Sequence, residues 1–100
     1  MLNQSESPAD RRALFSAVLS LKTPAECDAF LADLCTPAEL EALSGRWKVA
    51  RMLRKGVPYR EISSRTGIST ATVARVARCL TYGKEGGYRL LLERAAGEKR

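Results

Sequence analysis

Apolar residues recur along most of the chain at the three-to-four-residue spacing of an amphipathic helix. Leu14, Val18 and Leu21 form the first such stripe. Two further stripes follow it, made of Cys27, Phe30, Leu31 and Leu34 and of Leu40, Leu43, Trp47 and Ala50. No stretch alternates between apolar and polar residues for long enough to indicate a β-strand. The pattern therefore predicts an all-α protein.

A helix-start signal occurs three times, at Ser7–Asp10, Thr23–Glu26 and Thr36–Glu39. Each copy places a hydroxyl at the N-cap, where it can accept from the amide of the third helical residue, with proline at the first helical position and a carboxylate at the third. In the last two copies the glutamate can also accept from the N-cap amide, as in a capping box. Gly56 is expected to end the third of these helices. We expect about six helices in a single domain over residues 9–97, preceded by a flexible arm at residues 1–8.

Residues 58–80 have the pattern of a helix-turn-helix. Pro58 starts a short helix, Gly67 stops it because the turn needs a positive φ, and Ser69 caps a second helix. The apolar contact between the two helices is assigned to Ile62, Ile68, Val73 and either Val76 or Ala77. An ordinary helical hairpin with a glycine turn has the same pattern, so the motif alone does not establish DNA binding.

The charge distribution favours a polyanionic partner. The chain of 100 residues has a net charge of +6, but residues 46–79 hold nine basic residues and one acid, a net of +8. A concentrated positive field attracts polyanions, and small residues at the start of the second motif helix allow close approach to base edges. The predicted contacts to double-stranded DNA are Arg60, Arg65, Ser69, Thr70, Ala71, Thr72, Arg75 and Arg78.

Other chemistry has little support in the composition. The chain has no histidine, which is the commonest general base and metal ligand, and its three cysteines are too widely spaced for a metal site. We expect no catalytic residue, no metal and no cofactor, and we expect a reduced, cytoplasmic protein with no membrane span and no signal peptide. The alternative to DNA binding is a non-catalytic interaction module whose basic face binds an acidic protein.

The segments 36–43, 46–50, 59–62 and 69–75 together resemble the Trp repressor superfamily, in particular its YerC/YecD-type branch of TrpR-like DNA-binding proteins. The resemblance covers about residues 20–92. It implies an intertwined homodimer whose shared core includes Phe15, Phe30, Leu31 and Trp47. It also implies a sequence-specific transcriptional repressor in which Arg60 reaches a guanine and residues 69–72 read the operator.

The resemblance further implies where an effector would bind. Thr36, Arg46 and Arg75 match the positions that hold the amino acid corepressor in Trp repressors. The chain departs from the family at the indole pocket, where Val76 replaces a glycine and should occlude a flat bicyclic ring. Two interpretations remain for the arginines: they bracket a small anionic effector other than tryptophan, or, as we favour, they bind DNA phosphate or pair with acidic groups.

Overall fold

A computed structural model of the chain describes residues 7–98. Within this range the chain forms six helices and no strand, which confirms the predicted all-α fold. The helices are α1 (Pro8–Leu19), α2 (Pro24–Leu34), α3 (Pro37–Arg54), α4 (Tyr59–Thr66), α5 (Thr70–Tyr82) and α6 (Gly87–Glu98).

The contacts divide the chain into two compact units, with the boundary between Leu40 and Glu41 inside α3. A single domain over residues 9–97 is therefore still a prediction. The expected flexible arm falls largely on residues 1–6, which lie outside the described part of the chain. Of its last two positions, Ser7 caps α1 and Pro8 is the first residue of that helix.

The first unit contains α1, α2 and the start of α3, and its helices begin at the three predicted signals. The start of α3 is a complete capping box: the Glu39 amide donates to Thr36 Oγ1 at 3.1 Å, and the Thr36 amide donates to Glu39 Oε1 at 2.8 Å. Both exchanged bonds satisfy amides that the helix itself leaves unpaired. The boundary of α3 is thus fixed by its own first residues.

The other two starts differ from the prediction in one bond each. Ser7 Oγ accepts from the amide of Ala9 at 3.1 Å, which is the second helical position and not the third. Thr23 Oγ1 accepts from the Glu26 amide as predicted, but Glu26 accepts from the amide of Lys22, at 2.9 Å, and not from that of Thr23. In both cases the amide of the adjacent residue donates the hydrogen bond to the capping side chain, so the helix end is still capped.

The apolar stripes of α1 and α2 are largely exposed. Neither helix has a buried residue, and Phe15 is 52% and Leu19 84% exposed. Phe30 and Leu31, on α2, are half-buried. Phe15, Phe30 and Leu31 are among the side chains for which the resemblance implies a place in a shared dimer core, and a single chain leaves them partly or largely exposed.

The second unit has a core to which four helices contribute. The buried residues are Val49 and Ala50 from α3, Ile62 from α4, Val73, Val76 and Ala77 from α5, and Leu92 from α6. Trp47 stacks on Tyr88 beside this core, with ring centroids 6.4 Å apart. Since α5 packs against both α4 and α6, its position is fixed from two sides.

The end of α3 directs the chain towards α4. Gly56 has φ of +85°, its amide donates to the Leu53 carbonyl at 2.9 Å, and the Val57 amide donates to the Met52 carbonyl at 3.1 Å. This pair of bonds is a Schellman motif, which confirms the predicted glycine stop. The next helix, α4, begins at Tyr59. Pro58 is its N-cap and therefore lies one position before the first helical residue, where proline is most often found.

Candidate nucleic-acid interface

A turn of three residues, Gly67–Ser69, joins α4 to α5. Gly67 has φ of +77°, a conformation that side chains disfavour, and its amide donates to the Ser63 carbonyl at 2.9 Å. Ile62, Val73, Val76 and Ala77 are buried, and Ile68 packs against the core cluster that contains the first three of them. The predicted helix-turn-helix and its apolar contact are therefore present in the structure.

Two hydroxyls of α4 hold this turn. Ser63 Oγ donates to the Ile68 carbonyl at 2.6 Å. Thr66 Oγ1 donates to the Ile62 carbonyl at 2.7 Å and accepts from the Ile68 amide at 3.1 Å. Ser63 and Thr66 are not among the residues predicted to form the motif or its contacts. Serine and threonine commonly bond backbone groups near helix ends, which is the signal that could have identified them.

The start of α5 presents hydrogen-bond donors to solvent. Ser69 Oγ accepts from the Thr72 amide and donates to Thr72 Oγ1, both at 3.1 Å. Thr72 is partly buried, whereas Thr70 and Ala71 are exposed. The amides of Thr70 and Ala71 have no carbonyl partner within the helix because they lie in its first turn. These amides and the Thr70 hydroxyl can therefore bind an anion at this helix end.

The arginines of the motif are in different situations. Arg75 and Arg78 are exposed and continue the outer face of α5 that begins at Ala71, opposite its buried residues. Arg60 is also exposed, and the described part of the chain provides it with no ion pair. Arg65 is exposed but forms an ion pair with Glu61, to which its Nε donates at 3.1 Å. Arg65 thus has a partner that competes with any anion.

The residues at the corepressor positions lie in separate surroundings. Thr36 belongs to the first unit, where its hydroxyl accepts from Glu39 in the capping box. Arg46 is half-buried and Arg75 exposed, both in the second unit. Val76, the substitution that departs from the family at the indole pocket, is 1% exposed within the core. The effector site remains a prediction.

Three basic residues in and just after the C-terminal half of α3 are absent from the predicted contacts. Lys48 and Arg51 of α3 and Lys55, which directly follows the helix, line a recess of about 310 Å³ together with Met52 and Arg65. Their spacing of three and four residues is the signal that could have identified them.

Residues 7–98 contain no group of three metal-ligating side chains, and their three cysteines are free. No helix in that range is both long enough and apolar enough to cross a membrane.

Six helices with an exposed, arginine-flanked helix-turn-helix place the chain in the class of helical regulatory proteins. The family model described as Trp repressor protein matches residues 9–96, so the chain belongs to the Trp repressor family. This result confirms the resemblance found in the sequence. The family is regulatory and not enzymatic, and it indicates a DNA-binding regulator.

Individual relatives agree with this assignment. The YerC protein of Bacillus subtilis (strain 168) is 51% identical over 81 residues, which are 81% of this chain and 77% of that protein. The structure of a TrpR-like protein from Eubacterium eligens ATCC 27750 has a TM-score of 0.81 and 44% identity, over 94% of this chain and 95% of that one. A candidate Trp repressor from Staphylococcus aureus has a TM-score of 0.83 and 38% identity, over 96% and 95%.

Proposed function

We propose that the chain is a sequence-specific regulator of transcription, a cytoplasmic repressor that binds double-stranded DNA as a homodimer. The observation that carries this proposal is the first half of α5, where Ser69 caps a helix whose exposed residues are small and whose outer face continues into Arg75 and Arg78. An α-helix fits the major groove of B-DNA, and small side chains allow its backbone to come close to the bases.

Each part of the motif has a role in this proposal. The first-turn amides of α5 and the Thr70 hydroxyl bind phosphate and fix the register of the protein on the duplex. The Ala71 methyl contacts a thymine methyl, and the Arg60 guanidinium binds the O6 and N7 atoms of guanine. Arg75 and Arg78 bind phosphate, a role that we also favour for Arg46 over binding of a small effector.

The dimer is proposed from the exposed apolar residues of the first unit. Leu14, Phe15, Val18 and Leu34 are each more than a third exposed in one chain, and large apolar side chains of this kind are typically covered at obligate interfaces between subunits. A two-fold dimer would place two copies of α5 in successive major grooves, about 34–36 Å apart. The expected operator is therefore a palindrome.

The test is selection from random duplexes, followed by anisotropy measurements on a selected and a scrambled duplex over a range of salt concentrations. We expect a two-fold symmetric sequence and an affinity that falls steeply with salt, because bound phosphates release counterions. Poly-glutamate serves as a competitor of equal charge. Recovery of no symmetric sequence, with poly-glutamate bound as tightly as any duplex, would instead establish the interaction module as the function.

A further inference from the structure

A basic recess lies between α3 and α4, apart from the outer face of α5. It has a volume of about 310 Å³ and is lined by Lys48, Arg51, Met52, Lys55 and Arg65. Small-molecule sites in proteins begin at about this size. Four of the five lining side chains are cationic, and the fifth contributes apolar surface.

The recess concentrates positive charge with little compensation. No acidic residue is among its lining side chains, and within residues 7–98 none of Lys48, Arg51 and Lys55 forms an ion pair. The lining residue that belongs to α4 is Arg65, and its ion-pair partner is Glu61, which is not part of the lining. Like charges that share a concave surface repel one another, and an anion with several charges relieves that repulsion.

The spacing of the cations indicates the shape of this anion. Lys48 and Arg51 of α3 and Lys55, the residue directly after it, are spaced by three and four positions and span about 10 Å along the axis, at about 1.5 Å per residue. A single phosphate is too small to reach all three, whereas two or more linked phosphates match the row. Lysine and arginine are also the side chains that proteins use to bind phosphate oxygens.

We propose that the basic recess is a binding site for linked phosphate groups. Two sources share this chemistry: the backbone of a duplex that the motif has bound, and a free nucleoside polyphosphate. The first source rests on the proposed function and the second does not. Because Arg65 belongs to α4, an anion in the recess would contact the helix-turn-helix itself and release Arg65 from Glu61.

The test compares two double variants that remove the same charge. Arg51→Gln with Lys55→Gln changes the recess, and Lys84→Gln with Arg94→Gln changes exposed residues outside it. Glutamine retains the helix propensity of lysine and arginine, so both variants should fold; circular dichroism checks this, and Lys55→Gln alone replaces the recess variant if it does not. The probes are ATP and sodium tripolyphosphate, measured by titration calorimetry, and a duplex, measured by anisotropy against salt.

The two sources predict different results. For a free polyphosphate, ATP and tripolyphosphate bind the wild type and the Lys84/Arg94 control, and the recess variant binds them at least about tenfold more weakly, by 1.4 kcal/mol. For a DNA backbone, the salt slope on the duplex falls by about 2 in the recess variant only. Equal behaviour of the two variants with every probe overturns the proposal. A wild type that binds tripolyphosphate but no duplex overturns the proposed function alone.

Discussion

Gly45 of α3 lies directly against Ile68 of the helix-turn-helix: a Cβ added to Gly45 would be 3.0 Å from Ile68 Cδ1. The glycine leaves the space that the isoleucine fills, and Ile68 continues from there into the core of the second unit. The turn between α4 and α5 therefore lies in close contact with α3 through Gly45 and Ile68.

A double-mutant cycle tests this contact. Gly45→Leu should lower the free energy of unfolding although it improves helix propensity by about 1 kcal/mol, because crowding a packed site costs about 1–3 kcal/mol. Ile68→Ala should cost less in the Gly45→Leu background than in the wild type, since the new leucine fills the vacated space. Urea unfolding of the four proteins measures the coupling, expected at about 1 kcal/mol. Additive effects would contradict the contact.

The hydrogen bond from Ser63 to the Ile68 carbonyl should also stabilise the turn. Ser63→Ala removes the donor and should lower the free energy of unfolding by about 1 kcal/mol. Ser64→Ala is the matched control, because Ser64 is the next residue of the same helix and is exposed. Both changes bring the same gain in helix propensity, so the difference between them isolates the hydrogen bond. Equal unfolding curves for the two variants would show that the bond contributes nothing.

The sequence predicts the parts of the fold that depend on local chemistry. The capping box at Thr36, the glycine stops at Gly56 and Gly67 and the serine cap at Ser69 are each determined by residues within a few positions, and the structure has all of them. The contact of Gly45 with Ile68 joins residues far apart in the chain. Nothing in the local pattern around Gly45 indicates it.

The candidate site also has a part that the local sequence predicts and a part that depends on residues far apart in the chain. The exposed start of α5 could be predicted because its cap and its helical period place Thr70 and Ala71 outside. The basic recess could not be predicted, because it needs Arg65 of α4 to come near Arg51 of α3 and Lys55, which follows α3. The net charge of +8 over residues 46–79 includes all of these basic residues, but it does not distinguish those of the recess from those beside the start of α5.

Ser69 allows helix capping to be separated from DNA binding. Ser69→Ala removes the acceptor for the Thr72 amide and should cost about 0.5–2 kcal/mol of stability. Ser69→Asp keeps an acceptor at the N-cap and should unfold like the wild type, but its negative charge should repel the DNA phosphates. Thermal unfolding and duplex anisotropy are measured on both. Wild-type duplex affinity in Ser69→Asp would place the start of α5 away from DNA.

Arg60 and Arg65 should differ in what they contribute to DNA binding. They are five residues apart on α4, about 140° around the helix, and only Arg65 has a partner in Glu61. Arg60→Ala should weaken binding by about 1–3 kcal/mol and relax the preference at one base position. Arg65→Ala should weaken binding of all duplexes alike. Each variant is used to select binding sequences from random duplexes. If Arg60→Ala keeps the full base preference of the wild type, Arg60 does not recognise a base.

Tryptophan should have no effect on this chain. By the resemblance to Trp repressors, the position that lies along the indole ring is a glycine in those proteins. Here that position is Val76, which is 1% exposed in the core. Titration calorimetry with a panel of amino acids should therefore give no heat for tryptophan, and duplex affinity should be the same with and without it. Arg46→Gln is the control variant. A tryptophan signal that disappears in Arg46→Gln would mean that the core around Val76 opens for the ligand, because the buried side chain leaves no room for an indole as it stands.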